Sequence, residues 1–330
     1  MKAIIPVAGA GTRLRPHTYT QPKPMIAVAG KPIIAFIVEK LMAAGINDFV
    51  FVIGYMGEKI QDYINENYPT INKTFVLQEL REGLGHAIWT AKAEIENEKQ
   101  LFIALGDIIF DADIEALMNE QYSCLGVKKV QNPREVGVVE VEEGRIKRLI
   151  EKPRIPISDL AIVGLYKINE VKLLIECIEY NIDNNIRTHN EFQLTDALMR
   201  MIDHKTIFTT FTVDNWFDCG KKEILLETNR MLLDQHFKYQ DLPVFDNTII
   251  VHPVSLGAGC NIRNSIIGPH VTIGANTTID YSIVKDSIIG SYAALNEVVL
   301  NQSIIGSDTS IKGARQSLNI GDNAEIDFRK

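Results

Sequence analysis

Two textures divide this chain of 330 residues into an α/β domain, with a mostly parallel, Rossmann-like sheet, over residues 1–240 and a short left-handed parallel β-helix over 241–330. Three observations predict this. Over the first two-thirds, apolar runs of strand length alternate with stretches of helical period, the order of a parallel sheet covered on both faces. From Ile267 onward, aliphatic residues recur at six-residue steps, the period of a hexapeptide β-helix. Between the two, Asp241-Leu242-Pro243 follows the last helical pattern and marks the boundary.

Each element follows in order. "KAIIPVA" is a first strand, and the glycine-containing stretch 9–25, "GAGTRLRPHTYTQPKPM", is a loop at its carboxyl end. "KPIIAFIVEKLMAAG" sets Ile33, Ile34, Ile37, Val38, Leu41 and Met42 on one helical face, with Gly45 as the C-terminal stop. "DFVFVIGY" is a buried strand, "GEKIQDYINENY" an amphipathic helix, "TFVLQEL" a strand, "HAIWTAKAEI" a helix and "QLFIALGD" a strand. Residues 123–168 are richer in strands, which predicts an inserted lid or substrate-binding portion. Helical patterns at 170–180, 194–203 and 221–239 then bracket "TIFTTFTVDNWFDCG".

In the last part, Ile267, Ile273 and Ile279 step by six, as do Ile289 to Leu295, Ile305 to Ile311 and Ile320 to Ile326; "SIIG" recurs at 265–268, 287–290 and 303–306. Each aliphatic side chain is expected to point into a triangular prism while the small next residue turns the corner. At about 18 residues per coil, the remaining chain allows four or five coils.

Composition narrows the function. Net charge is −8 with a pI near 5.5, which argues against general nucleic-acid binding, where a basic footprint is required. An anionic ligand must therefore meet locally placed cations. Cys124, Cys177, Cys219 and Cys260 form no CxxC pair, so reduced, mostly buried thiols are expected rather than zinc or disulfides. The seven histidines show no metal-ligand spacing. "MKAIIPVAGAG" is too short in its apolar run for a secretory signal, and no window approaches a membrane span. A cytoplasmic protein is expected.

The loop 9–25 packs Arg13, Arg15 and Lys23 around two glycines, a composition suited to dense negative charge. It is not a dinucleotide fingerprint, because the third glycine position is Leu14 and no acidic residue follows at the required distance; nor is it a Walker loop, which needs GKS or GKT. A glycine turn with backbone N–H groups toward phosphate, helped by an arginine fork and a lysine point charge, remains beside a plain structural turn.

The order of motifs goes further. "GAGTRLRP…PKPM…GKPII", "LQELREGLGHA", "LGD", "VGVV", "EKP", "VGLY", "EFQLTD" and "WFDCG" succeed one another as in the sugar-1-phosphate nucleotidyltransferases, and the chain resembles glucose-1-phosphate thymidylyl- and uridylyltransferases, many of which also carry a C-terminal hexapeptide β-helix. The glycine loop, Gly9-Ala10-Gly11, is one residue shorter than the common form. The resemblance implies a reaction in which a sugar-1-phosphate oxygen attacks the α-phosphorus of a nucleoside triphosphate and pyrophosphate leaves. Two polyanions must approach, so catalysis is positioning and charge neutralisation.

It further implies that Ala8, Gly9, Gly11, Thr12 and Arg13 hold the triphosphate, with Lys23 against the phosphates, and that Asp107 and Asp218 hold Mg²⁺. Lys152 would hold the sugar phosphate, Glu151 a sugar hydroxyl, and Gly137 and Gly164 would admit backbone to the sugar ring. Glu191, Thr195 and Asp196 are either part of this site or, for the last two, helix caps. Gln78, followed by Gly83, offers one donor and one acceptor to the edge of thymine or uracil; His86 departs from the more usual small residue. dTTP is expected, with UTP as the alternative. A hexapeptide acyltransferase using His252 or His270, and a non-catalytic sugar-nucleotide sensor, are the other classes; retention of the charged set favours the enzyme. The β-helix is expected to support a homo-oligomer or an allosteric platform.

Overall fold

The computed structural model describes residues 1–237 and 242–313. They form two compact units, Met1–Thr228 and Asn229–Lys330. The break falls inside a helix, Lys222–His236; the boundary expected at 240/241 and the hexad Ile320 to Ile326 lie outside the described residues.

In the first unit, β1 (Lys2–Pro6), β2 (Asp48–Ile53), β3 (Asn72–Leu77) and β4 (Leu101–Ala104) run parallel in the order β4-β1-β2-β3. Their near-continuous apolar runs follow from burial on both faces: Ala3, Ile4, Ile5, residues 49–52 and 101–104 have no exposed surface. The crossovers carry α1 (Ile33–Ala43), α2 (Gly57–Asn67) and α3 (Leu84–Thr90). The expected face of α1 is buried except Met42, which is half-buried, and Gly45 ends it at φ 86°.

After β4 the chain departs from strict alternation. β5 (Ile108–Asp111), β6 (Ser123–Lys129), β7 (Val138–Glu142), β8 (Arg145–Ile150) and β9 (Leu160–Ile168) precede α4 (Val171–Asp183), α5 (Leu194–Asp203), β10 (Phe208–Thr212), β11 (Asn215–Asp218) and α6 (Lys222–His236). β9 runs antiparallel to β4, β6 and β7, and the whole sheet reads β8-β7-β9-β4-β1-β2-β3, with β6 pairing β9 and β10. The Rossmann-like parallel half thus joins an antiparallel flank in one mixed sheet. Apart from it, β5 and β11 form a two-stranded antiparallel ribbon that sets Asp218 opposite Ile108.

The second unit is a β-helix of three four-stranded parallel sheets, four coils among the described residues. Inward aliphatics Ile262, Ile267, Ile273, Ile279, Val284, Ile289 and Leu295 are buried at 0–1% exposure. The coil is shorter than eighteen residues: Ile249 pairs with Ile266 and Ile266 with Ile283, seventeen residues on, while Ile283 pairs with Val299, sixteen on. The shortening lies at the corners around Asn264, Tyr281 and Asp286, where inward side chains (Ile262 to Ile267, Ile279 to Val284, Val284 to Ile289) stand five residues apart instead of six.

Buried serines brace those corners. Ser282 N–H donates to Ser265 Oγ at 3.1 Å, Val298 N–H to Ser282 Oγ at 3.2 Å and Ser303 N–H to Ser287 Oγ at 3.1 Å. Each accepting hydroxyl donates to its own coil two residues back, at 2.6–2.8 Å. The serine of "SIIG" therefore ties one coil to the next. His270 sits at another corner with Nε2 3.0 Å from Asp234 and Nδ1 3.4 Å from Asp286. Ser282→Ala orphans the Val298 N–H in the prism wall and is expected to lower the stability of this unit by about 1–3 kcal/mol. Denaturant unfolding followed by circular dichroism checks this; a change below about 0.5 kcal/mol, the size of an ordinary surface substitution, would rule out the ladder.

Candidate active site

The site begins where β1 ends. The chain leaves the sheet at Val7 and winds through three single-turn 3₁₀ segments, Thr12–Leu14, His17–Tyr19 and Lys23–Met25. Among the described residues, none of the backbone N–H groups from Gly9 to Arg13 donates to a backbone carbonyl. Consecutive backbone donors without a backbone partner at a strand's carboxyl end suit an anionic ligand. Gly11 adopts φ 60°, and a Cβ there would lie 2.9 Å from Lys23 Cβ. The glycine thus lets the lysine stem pass, while the space beside Gly9 is open.

Lys23 is the pivot. It is 6% exposed, and its ammonium donates to Asp107 Oδ2 at 2.6 Å and Asp218 Oδ1 at 3.1 Å. Burial alone would pull its pKa down; Asp107 and Asp218 outweigh that and hold it above the ordinary lysine value. Asp107 stands just past β4, and Asp218 reaches it through the β5–β11 ribbon, where Cys219 N–H donates to the Asp107 carbonyl at 3.2 Å. The Arg13 guanidinium lies 3.6 Å from Asp218 Oδ2. A Cβ on Gly220 would meet it at 2.8 Å. Cys219 beside them is an inert thiol, burial pushing it up to about 12.

Two cavities adjoin this cluster. The first, of about 410 Å³, is lined by Ala8, Gly9, Gly11, Thr12, Arg13 and Lys23 together with Gln78, Gly83 and Asp107. The second, of about 490 Å³, is lined by Gly137, Glu151, Lys152 and Asp218, and again by Arg13 and Asp107. Both volumes suit small-molecule ligands. They share Arg13, Leu84, Leu105 and Asp107 as a common wall.

In the second cavity Glu151, 14% exposed, accepts from the Thr195 hydroxyl at 3.3 Å and lies 3.5 Å from Lys152 Nζ. Lys152 holds φ 42°, a conformation a side chain rarely adopts, fixed by its N–H to the Val136 carbonyl at 3.2 Å. A Cβ on Gly137 would come 2.9 Å from Glu151 Oε2.

Gly164 is the exception: it lines neither cavity. It sits at φ 85° in a bulge of β9, accepts from Leu105 N–H at 3.0 Å, and a Cβ would strike Leu105 Cδ1 at 2.7 Å. Its neighbour Leu105 lines both cavities. Thr195 turns to Glu151, and Gln193 begins α5 without a side-chain cap. Asp196 has Oδ2 buried without a partner among the described residues, and burial raises its pKa. Glu191 lines the first cavity and accepts from Gln193 Nε2 at 3.0 Å. Arg81, Leu105 and Gly220 in the first cavity, with Tyr166 and Trp216 in the second, were not singled out from the sequence. Most stand within or next to quoted motifs, which is the signal that was available.

A family model described as nucleotidyl transferase matches residues 2–235. The chain belongs to that family. The bifunctional protein GlmU of Methanocaldococcus jannaschii is 39% identical over 236 residues, 71% of this chain and 55% of that protein; the chain therefore spans about half of that relative's length. A glucose-1-phosphate thymidylyltransferase of Streptomyces antibioticus is 27% identical over the full length of both chains. Among solved structures, a UDP-glucose pyrophosphorylase in complex with UDP-glucose matches with a TM-score of 0.62 at 27% identity, covering 71% of this chain and 99% of its own.

Gly83 offers a test of the site's architecture. It holds φ 110°, and a Cβ would lie 2.7 Å from the Phe192 carbonyl oxygen; Gly144, at φ 75°, has open space. Gly144→Ala should lower stability by about 1–2 kcal/mol from backbone strain alone. Gly83→Ala should cost clearly more, because backbone stands in the way. Equal values from denaturant titrations would show that the Gly83–Phe192 approach is not tight.

Proposed function

We propose that the first unit transfers a nucleotidyl group from dTTP to a sugar 1-phosphate, with glucose 1-phosphate as the leading candidate, giving a dTDP-sugar and pyrophosphate. The observation that carries this is the common wall of the two cavities, which has Arg13 and Asp107 in it and the Lys23–Asp218 pair beside it. Such a wall lets two anionic ligands meet at one charged junction. UTP is the second reading for the nucleotide, favoured by the likeness to a UDP-glucose pyrophosphorylase.

In this mechanism the free N–H groups of residues 9–13 bind the triphosphate, and the Arg13 fork spans oxygens of the departing pyrophosphate. Lys152, pinned by its strained backbone, orients the sugar phosphate for in-line attack, and Glu151 accepts from a sugar hydroxyl. Water is excluded by the apolar walls at Leu84 and Leu105. The rate gain is positional and electrostatic.

The donor set fits a divalent cation. Two carboxylates converge on one cationic centre, the Lys23 ammonium, at 2.6 and 3.1 Å, and hard oxygens of this kind suit Mg²⁺ completed by waters and substrate phosphates. Among the described residues no group of three or more metal-binding side chains exists. Asp107 and Asp218 would hold it, and it would neutralise phosphate charge. Cytoplasmic location and a homo-oligomer built on the β-helix belong to the same proposal.

The test is pyrophosphate release with dTTP, UTP, GTP, CTP and ATP against several sugar 1-phosphates. Turnover is expected with pyrimidine triphosphates carrying an N3–H; none with any pair would refute the proposal. Asp218→Asn should lower turnover at least about a hundredfold while thermal unfolding stays cooperative, and near-normal turnover would remove its metal role. Lys23→Met leaves two carboxylates facing each other, so Mg²⁺ should raise its melting temperature more than that of the unaltered protein; equal shifts would count against metal at this pair.

A further inference from the structure

We propose that His86 sets nucleobase choice in the first cavity by holding the Gln78 amide so that only its carbonyl oxygen faces the base; this rests on the nucleotidyl-transfer reading above. Gln78 is 5% exposed and lines the cavity. Its Nε2 donates to the Gly83 carbonyl at 3.3 Å and meets His86 Nδ1 at 3.0 Å. An amide nitrogen has two hydrogens, and both are thereby committed. The reversed amide would set its oxygen against the Gly83 carbonyl, acceptor against acceptor. Nδ1 must then be the acceptor, and the neutral ring carries its proton on Nε2.

The surroundings support that tautomer. His86 Nε2 faces Glu82 Oε2 at 3.7 Å, and Glu82 is held by Arg187 at 2.7 Å. Trp89 and Phe192 flank the imidazole, with ring centroids at 5.7 and 6.5 Å. Burial lowers the His86 pKa from its ordinary value, Glu82 opposing and Arg187 assisting. The ring is therefore neutral at pH 7. Protonation would place an N–H at Nδ1 against the amide N–H and drive the amide to turn.

The consequence is chemical. The sequence alone offers Gln78 as donor and acceptor together; its committed hydrogens leave an acceptor. Uracil and thymine present N3–H and satisfy it. Cytosine presents a lone pair at N3, so two acceptors would be buried face to face, and a site built for one hydrogen bond rejects such a partner far more strongly than it rejects a missing methyl. Once His86 no longer accepts, only the Gly83 carbonyl still holds the amide, and turning it to donate to that lone pair costs less.

The experiment compares initial rates with UTP, dTTP and CTP for the unaltered protein, His86→Leu and His86→Asn, from about pH 5 to 8, the range of histidine titration. The unaltered protein should prefer UTP or dTTP over CTP by at least about a hundredfold, and His86→Leu should cut that ratio at least about tenfold, chiefly through KM. His86→Asn, whose amide oxygen restores an acceptor, should recover part of it. In the unaltered protein the ratio should also fall as pH drops through the His86 pKa. Retained discrimination in a cooperatively melting His86→Leu, or a ratio flat with pH, overturns the role of His86. Absence of turnover with every pyrimidine triphosphate overturns the transfer reading as well.

Discussion

A buried ammonium is costly unless it is paired and hydrogen-bonded, and Lys23 meets that condition only because Asp107 and Asp218 lie on either side of it. The rest of the first unit can be understood as the means of bringing these three together. The loop after β1 carries Lys23 back across the strand end, which it can do because Gly11 has no side chain in its way. The β5–β11 ribbon carries Asp218 to Asp107, with ladder pairs over Asn215–Asp218 and Ile108–Asp111. With Arg13 added, two cations face two carboxylates. A pair of polyanionic substrates would tip that balance negative, and a divalent cation is the natural counterweight.

The sheet explains why there are two cavities rather than one. Parallel strands β4, β1, β2 and β3 all end on the same side, so the loops after β1 and β3 share one crevice, the usual ligand position in such sheets. The antiparallel flank supplies the other: β7 begins beside Gly137, β8 ends beside Glu151 and Lys152, and β9 contributes Ile162. Between them stands Leu105, seated against Gly164 in the β9 bulge. A bulge re-aims local backbone, and here its effect is to shape the wall common to both volumes. Gly164 is thus coupled to the site without lining it.

The division of labour is also one of polarity. On the proposed function, phosphate recognition would fall on backbone N–H groups and permanent cations, which tolerate any base and any sugar. Selectivity would fall on the Gln78 amide and the His86 imidazole, where a misplaced hydrogen is more costly than a misplaced methyl group. The Glu82–Arg187 pair, partly exposed, contributes little to stability by itself. In the proposed base site it would hold the proton side of His86 toward Glu82, away from Gln78.

These levels differ in how far the sequence discloses them. Apolar runs and glycine loops report burial and special backbone, so the strand ends, the loop that lines the first cavity and the hexad prism were legible from residues 2–8, 9–25 and the "SIIG" repeats. The coil of sixteen or seventeen residues was not, because a corner turned by Tyr281 or Asp286 in the left-handed region leaves no compositional mark; glycine would have. The role of Gly164 was displaced by one residue, since a glycine near a motif says that space is needed but not by which neighbour. Gln78 is the sharpest case. Its side chain announces a donor and an acceptor, yet which of them reaches a ligand depends on hydrogens already spent on Gly83 and His86, and that accounting exists only once the chain is folded.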